Sequence, residues 1–393
     1  MRIFYASNTS PDAGFQSDLW RHNLYLSLVN LGHDVVEFDY DLYETFLNVD
    51  STDPQQQAFI ETNRPKVTEG LVRQIRTAHN LKPVDLFFSY FYDACVLPEA
   101  IDEIRSMGIT TVNWYCNGSY QLHLVSEIAP HYDWCLVPEK FRLKDYVAMG
   151  ANPIYCQEAA NPQIYKRHDL PVAYDVTFIG QANGDRPSYI QYLRERGIDV
   201  RVWGKGWPMI PRPQTTPARP SLLQRAQGIG GRLLTSEGRK SLASRLVRNK
   251  NPEGESPQLP AQPTTVVYGG GTLSDDEMIR MYSRSKISLG FSTCGDTNRT
   301  DERIMQIRLR DFEVPMSGGF YMVEYMEELE EFFEIGKEIV CYNDREDLAD
   351  KIKYYLDHDS ERETIRLAGH QRCLRDHTWT KRFEAAFREM GLV

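Results

Sequence analysis

Arg310 and Glu313 stand three residues apart in the stretch Gln306-Ile-Arg-Leu-Arg-Asp-Phe-Glu-Val-Pro-Met-Ser-Gly-Gly-Phe-Tyr-Met-Val-Glu324. On a helix, Met305, Leu309, Phe312 and Met316 fall on one apolar stripe, and Gln306, Arg310, Glu313 and Ser317 fall on the polar stripe beside it. A fixed guanidinium suits a phosphate group, and an ionised carboxylate accepts two hydrogen bonds from a vicinal diol. Together they match a diphosphate and the ribose attached to it. Arg308, two residues off that stripe, is a secondary phosphate candidate, and Gly318 with Gly319 would let the backbone approach a ligand. The competing reading is an ion pair between Arg310 and Glu313 on a solvated helix.

The elements that must position these groups are strand-like apolar runs alternating with helix-length segments: Ile3–Ser7, Asp34–Phe38, Leu86–Tyr90, Thr111–Tyr115, Trp134–Pro138 and Ile154–Glu158. A second series begins at Tyr174–Gly180 and continues through Val200–Gly204, Thr265–Tyr268, Ile287–Phe291, Phe320–Val323 and Glu338–Tyr342. Such alternation predicts an α/β fold of two Rossmann-like halves with parallel sheets, residues 1–165 and 166–393. Ligands of open parallel sheets bind beyond the carboxyl ends of the strands. That rule nominates Gly180 and Arg186 after the first strand of the second half. It also nominates the loop 292–300 with Thr297, whose free amides could meet phosphate oxygens before the charged helix. On the first half it nominates Asn8, Thr9, Asp93 and Asn117 as crevice residues. Turn or cap duty is the alternative for Asp93.

With 393 residues the chain suits two domains and hence a cleft. Its 41% hydrophobic and 25% charged content is that of a globular protein, and a net charge of −10 disfavours specific binding to nucleic acid. The seven cysteines are scattered without a Cys-x-x-Cys pair, which predicts buried, reduced thiols rather than disulfides or a zinc site. No leader and no apolar run of spanning length is evident, so a cytoplasmic protein is expected. Between Pro208 and Pro263, nine Lys or Arg face three Glu and prolines crowd both ends. This insertion reads either as a solvated surface segment or as a basic amphipathic one that docks on an anionic membrane or a polyanionic or lipid-linked acceptor.

Several motifs lead nowhere. Asp39-Tyr40-Asp41 spells a metal-binding Asp-x-Asp but ends the second strand, so turn duty is expected and no metal is predicted. Gly269-Gly270-Gly271 lacks the Lys-Ser or Lys-Thr of a phosphate loop, and Ser274 with Glu277 makes a capping box. Ser7-Asn8-Thr9-Ser10 replaces the glycine fingerprint of a dinucleotide site. His370 and His377 have no telling partner and read as structural.

From about Pro153 onward the chain resembles the CgeB-like glycosyltransferases, a branch of the GT-B group with a glycosyl transferase family 1 type C-terminal domain. The carrying residues are Asp175-Val-Thr-Phe-Ile-Gly180 with Arg186, the run Gln306 to Pro315 with Gly318-Gly319-Phe320, Gly336-Lys-Glu-Ile-Val340, and Leu374-Arg-Asp-His-Thr-Trp379. The resemblance implies a metal-independent transferase that moves a sugar from a nucleoside diphosphate donor to an acceptor hydroxyl. It needs no cofactor beyond that donor, and its last helix crosses back to the first domain. It implies phosphate contacts from Arg186 and Arg310, a ribose contact from Glu313, an acceptor facing Asn8, Thr9 and Asn117, and, in an inverting enzyme, Asp93 as the candidate general base. The retaining pattern's earlier glutamate is replaced by Met305, with Glu302 the nearest substitute, which leaves stereochemistry open. An epimerase on the same fold, or a binding protein that has lost catalysis, are the alternatives.

Overall fold

The computed structural model describes residues 1–8, 18–207 and 270–392. Six parallel strands form the first sheet: β1 (Arg2–Ala6), β2 (Asp34–Glu37), β3 (Leu86–Ser89), β4 (Thr110–Trp114), β5 (Trp134–Val137) and β6 (Pro153–Tyr155), in the order β2-β1-β3-β4-β5-β6. Five more form the second: β7 (Tyr174–Ile179), β8 (Val200–Trp203), β9 (Ser285–Gly290), β10 (Tyr321–Glu324) and β11 (Val340–Tyr342), ordered β11-β10-β9-β7-β8. Helices cover both faces, so central strands are apolar throughout rather than alternating: Ile3 to Ala6 and Leu86 to Phe88 are all at or below 1% exposure. The predicted strand Thr265–Tyr268 lies outside the described residues, as do Thr9 and the insertion 208–263.

Counted from its own first strand, the second sheet has the order 2-1-3-4-5, and the first has the same order with a sixth strand added at the edge. The order reverses between β1 and β3 in one sheet and between β7 and β9 in the other. At those points the flanking connections leave in opposite directions and open a crevice.

Local chemistry sets the helix starts. Asp53 accepts the amides of Gln55 and Gln56 ahead of Pro54, opening the helix Pro54–Leu81, whose Val67, Leu71 and Ile75 face the first core. Ser274 and Glu277 close the capping box that opens Asp275–Ser283. Thr378 accepts the amide of Lys381 and starts the final helix, Trp379–Glu389. That helix returns to the first sheet: Trp379 packs on Trp114 with ring centroids 5.2 Å apart, and Phe383 on Phe88 at 5.5 Å. All seven cysteines are buried and free. Among the described residues, no helix is long and apolar enough to cross a membrane.

Candidate functional site

The carboxyl ends of β7 and β9 supply one wall of a cavity of about 610 Å³, and the carboxyl ends of β1, β3 and β4 line the other. After β7 the chain turns at Gly180 and enters the helix Arg186–Glu195, with Arg186 at its first position. Gly180 has a steric reason to be glycine: a Cβ there would stand 2.7 Å from Arg310 Nη1 and 2.7 Å from the Phe178 ring. After β9 a folded-back excursion pairs Thr293 with Met305 and returns the chain to Gln306. Arg303 fastens this excursion by bonding Glu324 at 2.6 Å and Asp185 at 3.1 Å. The next helix, Leu309–Met316, begins at the cavity, where Asp311 accepts the Arg308 amide at 2.8 Å.

Arg186, Arg308, Arg310 and Glu313 all line this cavity. Arg186 donates to the Gln181 carbonyl at 3.1 Å, and Arg308 to the Thr293 carbonyl at 2.8 Å, leaving Arg308 Nε buried without a partner. Burial, with Arg308 and Arg310 nearby, pushes the Arg186 guanidinium down to about 10. Three like charges crowd one space, which is unfavourable unless an anion occupies it. Arg310 and Glu313 do pair, with Nε 3.5 Å from Oε1, but on a buried face rather than a solvated one: Glu313 is 3% exposed and also accepts a 3.0 Å bond from the Tyr282 hydroxyl. Burial raises the Glu313 carboxyl above its ordinary value, against the pull of Arg310. The helix starts at Leu309, so Met305 and Gln306 lie ahead of it and not on its stripes. Gln306 instead reaches across the cavity to the Ser119 hydroxyl and accepts from the Cys294 thiol at 3.1 Å.

On the opposite wall, Asn8 and Asn117 line the cavity with the aromatic side chains of Trp20, Phe46, Tyr90 and Tyr92. Glu158 joins them from the turn after β6, 6% exposed and without a hydrogen-bond or ion-pair partner for its carboxylate among the described residues. Glu139, after β5, lies behind it. Both Glu139 oxygens are buried without a well-formed hydrogen bond, held only loosely by the nearby amides of Gly118 and Ser119, and one is 3.0 Å from where a Cβ on Gly118 would stand. Burial pushes Glu139 up to about 7, and burial with the neighbouring Glu139 carboxylate pushes Glu158 up to about 8.

Other candidates fall outside this cavity. Asp93 does not line it: its carboxylate accepts the amides of Glu127 and Ile128 at 3.0 to 3.2 Å and fixes the turn there. Thr297 is spent inside its own loop, donating to the Cys294 carbonyl at 2.7 Å and accepting the Ile304 amide. Gly318 and Gly319 sit at the far end of the helix and terminate it. The Gly319 amide returns to the Val314 carbonyl, Gly318 has φ +74°, and a Cβ on Gly318 would meet the Arg167 side chain. Both pack and cap there, and neither lines the cavity. Glu302 is exposed and off the cavity. Asp41 accepts the Tyr43 amide, as a turn residue does. His370 and His377 contact the carbonyls of Pro315 and Phe332. The described residues contain no cluster of three or more His, Cys, Asp or Glu that could hold a metal ion.

Sequence reasoning missed Glu158 and Glu139. Its one available signal was a charged residue closing the apolar run Ile154–Glu158, where a buried acid is out of place unless it has work to do.

The family model described as "Glycosyl transferase-like" matches residues 186–388, just over half of the chain. A search of curated proteins finds no match. Among solved structures, sucrose-phosphate synthase from Thermosynechococcus elongatus is similar at 11% identity and TM-score 0.55, covering 99% of this chain and 98% of that one. HepE of Anabaena, solved with UDP and glucose, is similar at 11% identity and TM-score 0.55 over 100% of both chains. A glycosyltransferase from Rickettsia africae gives 10% identity and TM-score 0.53 over 98% and 97%. These likenesses span the whole chain and show its fold, two Rossmann-like domains with sheets facing across a cleft, the GT-B arrangement.

Proposed function

We propose, from the premise that this chain belongs to the glycosyl transferase-like family, that it moves a sugar from a nucleoside diphosphate donor to an acceptor hydroxyl in the cavity between its two sheets. The observation that carries the reading is the convergence of Arg186, Arg308 and Arg310 on one cavity beside the buried carboxylate of Glu313. As the bond to the anomeric carbon breaks, negative charge grows on the departing diphosphate. Guanidinium groups already in place stabilise that charge without reorganising. They also supply the compensation that a divalent ion would otherwise bring, so the proposal includes no metal. Glu313 would take the ribose hydroxyls, and the opposite wall would take the acceptor.

HepE of Anabaena was solved with UDP-glucose as well as with UDP, which makes uridine donors the first to try. The test is a thermal-shift panel of UDP, GDP, ADP and dTDP sugars. A ligand at about 100 times its dissociation constant should stabilise the fold by about 2.7 kcal/mol. A panel in which no sugar nucleotide moves the melting temperature would defeat the proposal.

A further inference from the structure

Sugar transfer poses a proton problem on one side only. The departing diphosphate is stable as an anion among three guanidinium groups, but an acceptor hydroxyl must lose its proton as it attacks. The carboxylates that line the cavity are Asp18, Glu158, Asp275 and Glu313. Glu313 is held by Arg310 and Tyr282, and Asp275 accepts the Asp18 amide at 3.1 Å. Asp18 sits at the cavity rim, half-buried. Glu158 alone of the four combines near-complete burial with a carboxylate that has no partner among the described residues. A buried carboxyl without a partner keeps its proton rather than ionise unpaired, so it is poised to exchange a proton with whatever enters the cavity.

We infer that Glu158 is the general base of the transfer, standing on the acceptor wall and taking the proton from the attacking hydroxyl. This rests on the transfer reading above. In the step, the acceptor O–H proton passes to the Glu158 carboxylate while the acceptor oxygen bonds to the anomeric carbon. The bond from that carbon to the diphosphate breaks, its electron pair leaves on the phosphate oxygen, and the proton is later released to water. A single displacement of this kind inverts the anomeric configuration. The groups around Glu158 tune it from every side. Burial and Glu139 hold its proton on up to about 8, Asp311 and Glu313 add to that, Arg308 opposes it, and Cys116 faces it from the end of β4. A base poised near the working pH is the efficient kind.

The experiment uses the full chain, the donor found in the panel, and methanol as the probe acceptor, because a methyl glycoside keeps its anomeric configuration. Glu158→Gln should bind donor as the parent does by calorimetry and lower kcat/KM by about 10²–10⁴-fold. The parent's kcat/KM should climb with pH toward a plateau above about 8, and Glu158→Gln should lack that climb. Nuclear magnetic resonance of the parent's product should show inversion. Retention, or a Glu158→Gln rate equal to the parent's, would overturn the assignment while leaving donor binding intact. A parent chain that binds no sugar nucleotide would remove the transfer reading, and this one with it.

Discussion

Replacing Arg310 by Met separates two explanations of the Arg310–Glu313 pair, a structural ion pair and a ligand site. The pair is buried unequally, with the Arg310 side chain 23% exposed and that of Glu313 4%. Removing one partner of a buried pair costs about 3–5 kcal/mol, because the remaining charge is left without compensation. The Tyr282 hydroxyl still bonds Glu313 at 3.0 Å, so the lower end, about 3 kcal/mol, is expected. Adding Glu313→Gln removes the stranded charge, and the double variant should return to within about 1 kcal/mol of the parent in urea melts. Donor affinity should behave differently. A guanidinium bonded to phosphate contributes about 1.5–3 kcal/mol, which corresponds to a dissociation constant about 10–150-fold weaker in calorimetry with the donor nucleotide. The double variant should keep that loss even as its stability recovers. If Arg310→Met or the double variant bound nucleotide as tightly as the parent, the pair would be structural and the site reading refuted.

Three further outcomes follow from the same geometry. Gly180→Ala places a methyl 2.7 Å from Arg310 Nη1 and 2.7 Å from the Phe178 ring; it should cost about 1–3 kcal/mol in melts and weaken donor binding, and unchanged affinity would mean that Arg310 can yield without leaving the site. Glu139 is raised to about 7 from 4.5, so the folded chain holds this proton over a range where the unfolded chain has released it. The stability the group contributes is therefore present below about 4.5 and lost as pH rises through about 7, a drop of about 3 kcal/mol that Glu139→Gln should abolish in melts across that range; because Glu158 titrates alongside it, the parent's decline should extend toward about 8. Asp93→Ala strands the amides of Glu127 and Ile128 and should lose about 1–3 kcal/mol of stability with kcat/KM unchanged well below the melt; a large loss of kcat/KM at full folding would restore Asp93 as a catalytic candidate.

What could be read before folding was whatever depends on local order along the chain. Parallel strands covered on both faces must be apolar at successive positions, so Ile3–Ala6 and Leu86–Ser89 are evident from composition alone. A residue just past a strand's carboxyl end is near the crevice by topology, which is why Gly180, Arg186, Asn8 and Asn117 emerge from spacing and do line the cavity. The failures share a cause. The run Ile154–Glu158 reads as one strand, yet only Pro153–Tyr155 pairs, because β6 is an edge strand and the chain beyond it bends into the cavity. Asp93 obeys the same end-of-strand rule as Asn117, but two amides from the turn at Glu127 and Ile128 claim its carboxylate. Gly180 follows a strand end and faces Arg310 in the cavity, whereas Gly318 and Gly319 close the far end of the helix Leu309–Met316, where capping calls for glycine as well. Position relative to a strand end thus selects the crowd of residues near a crevice. Selection within that crowd depends on which polar groups the fold leaves without partners, and for a carboxylate such as Glu158 that is a property of two sheets meeting, which no window of sequence contains.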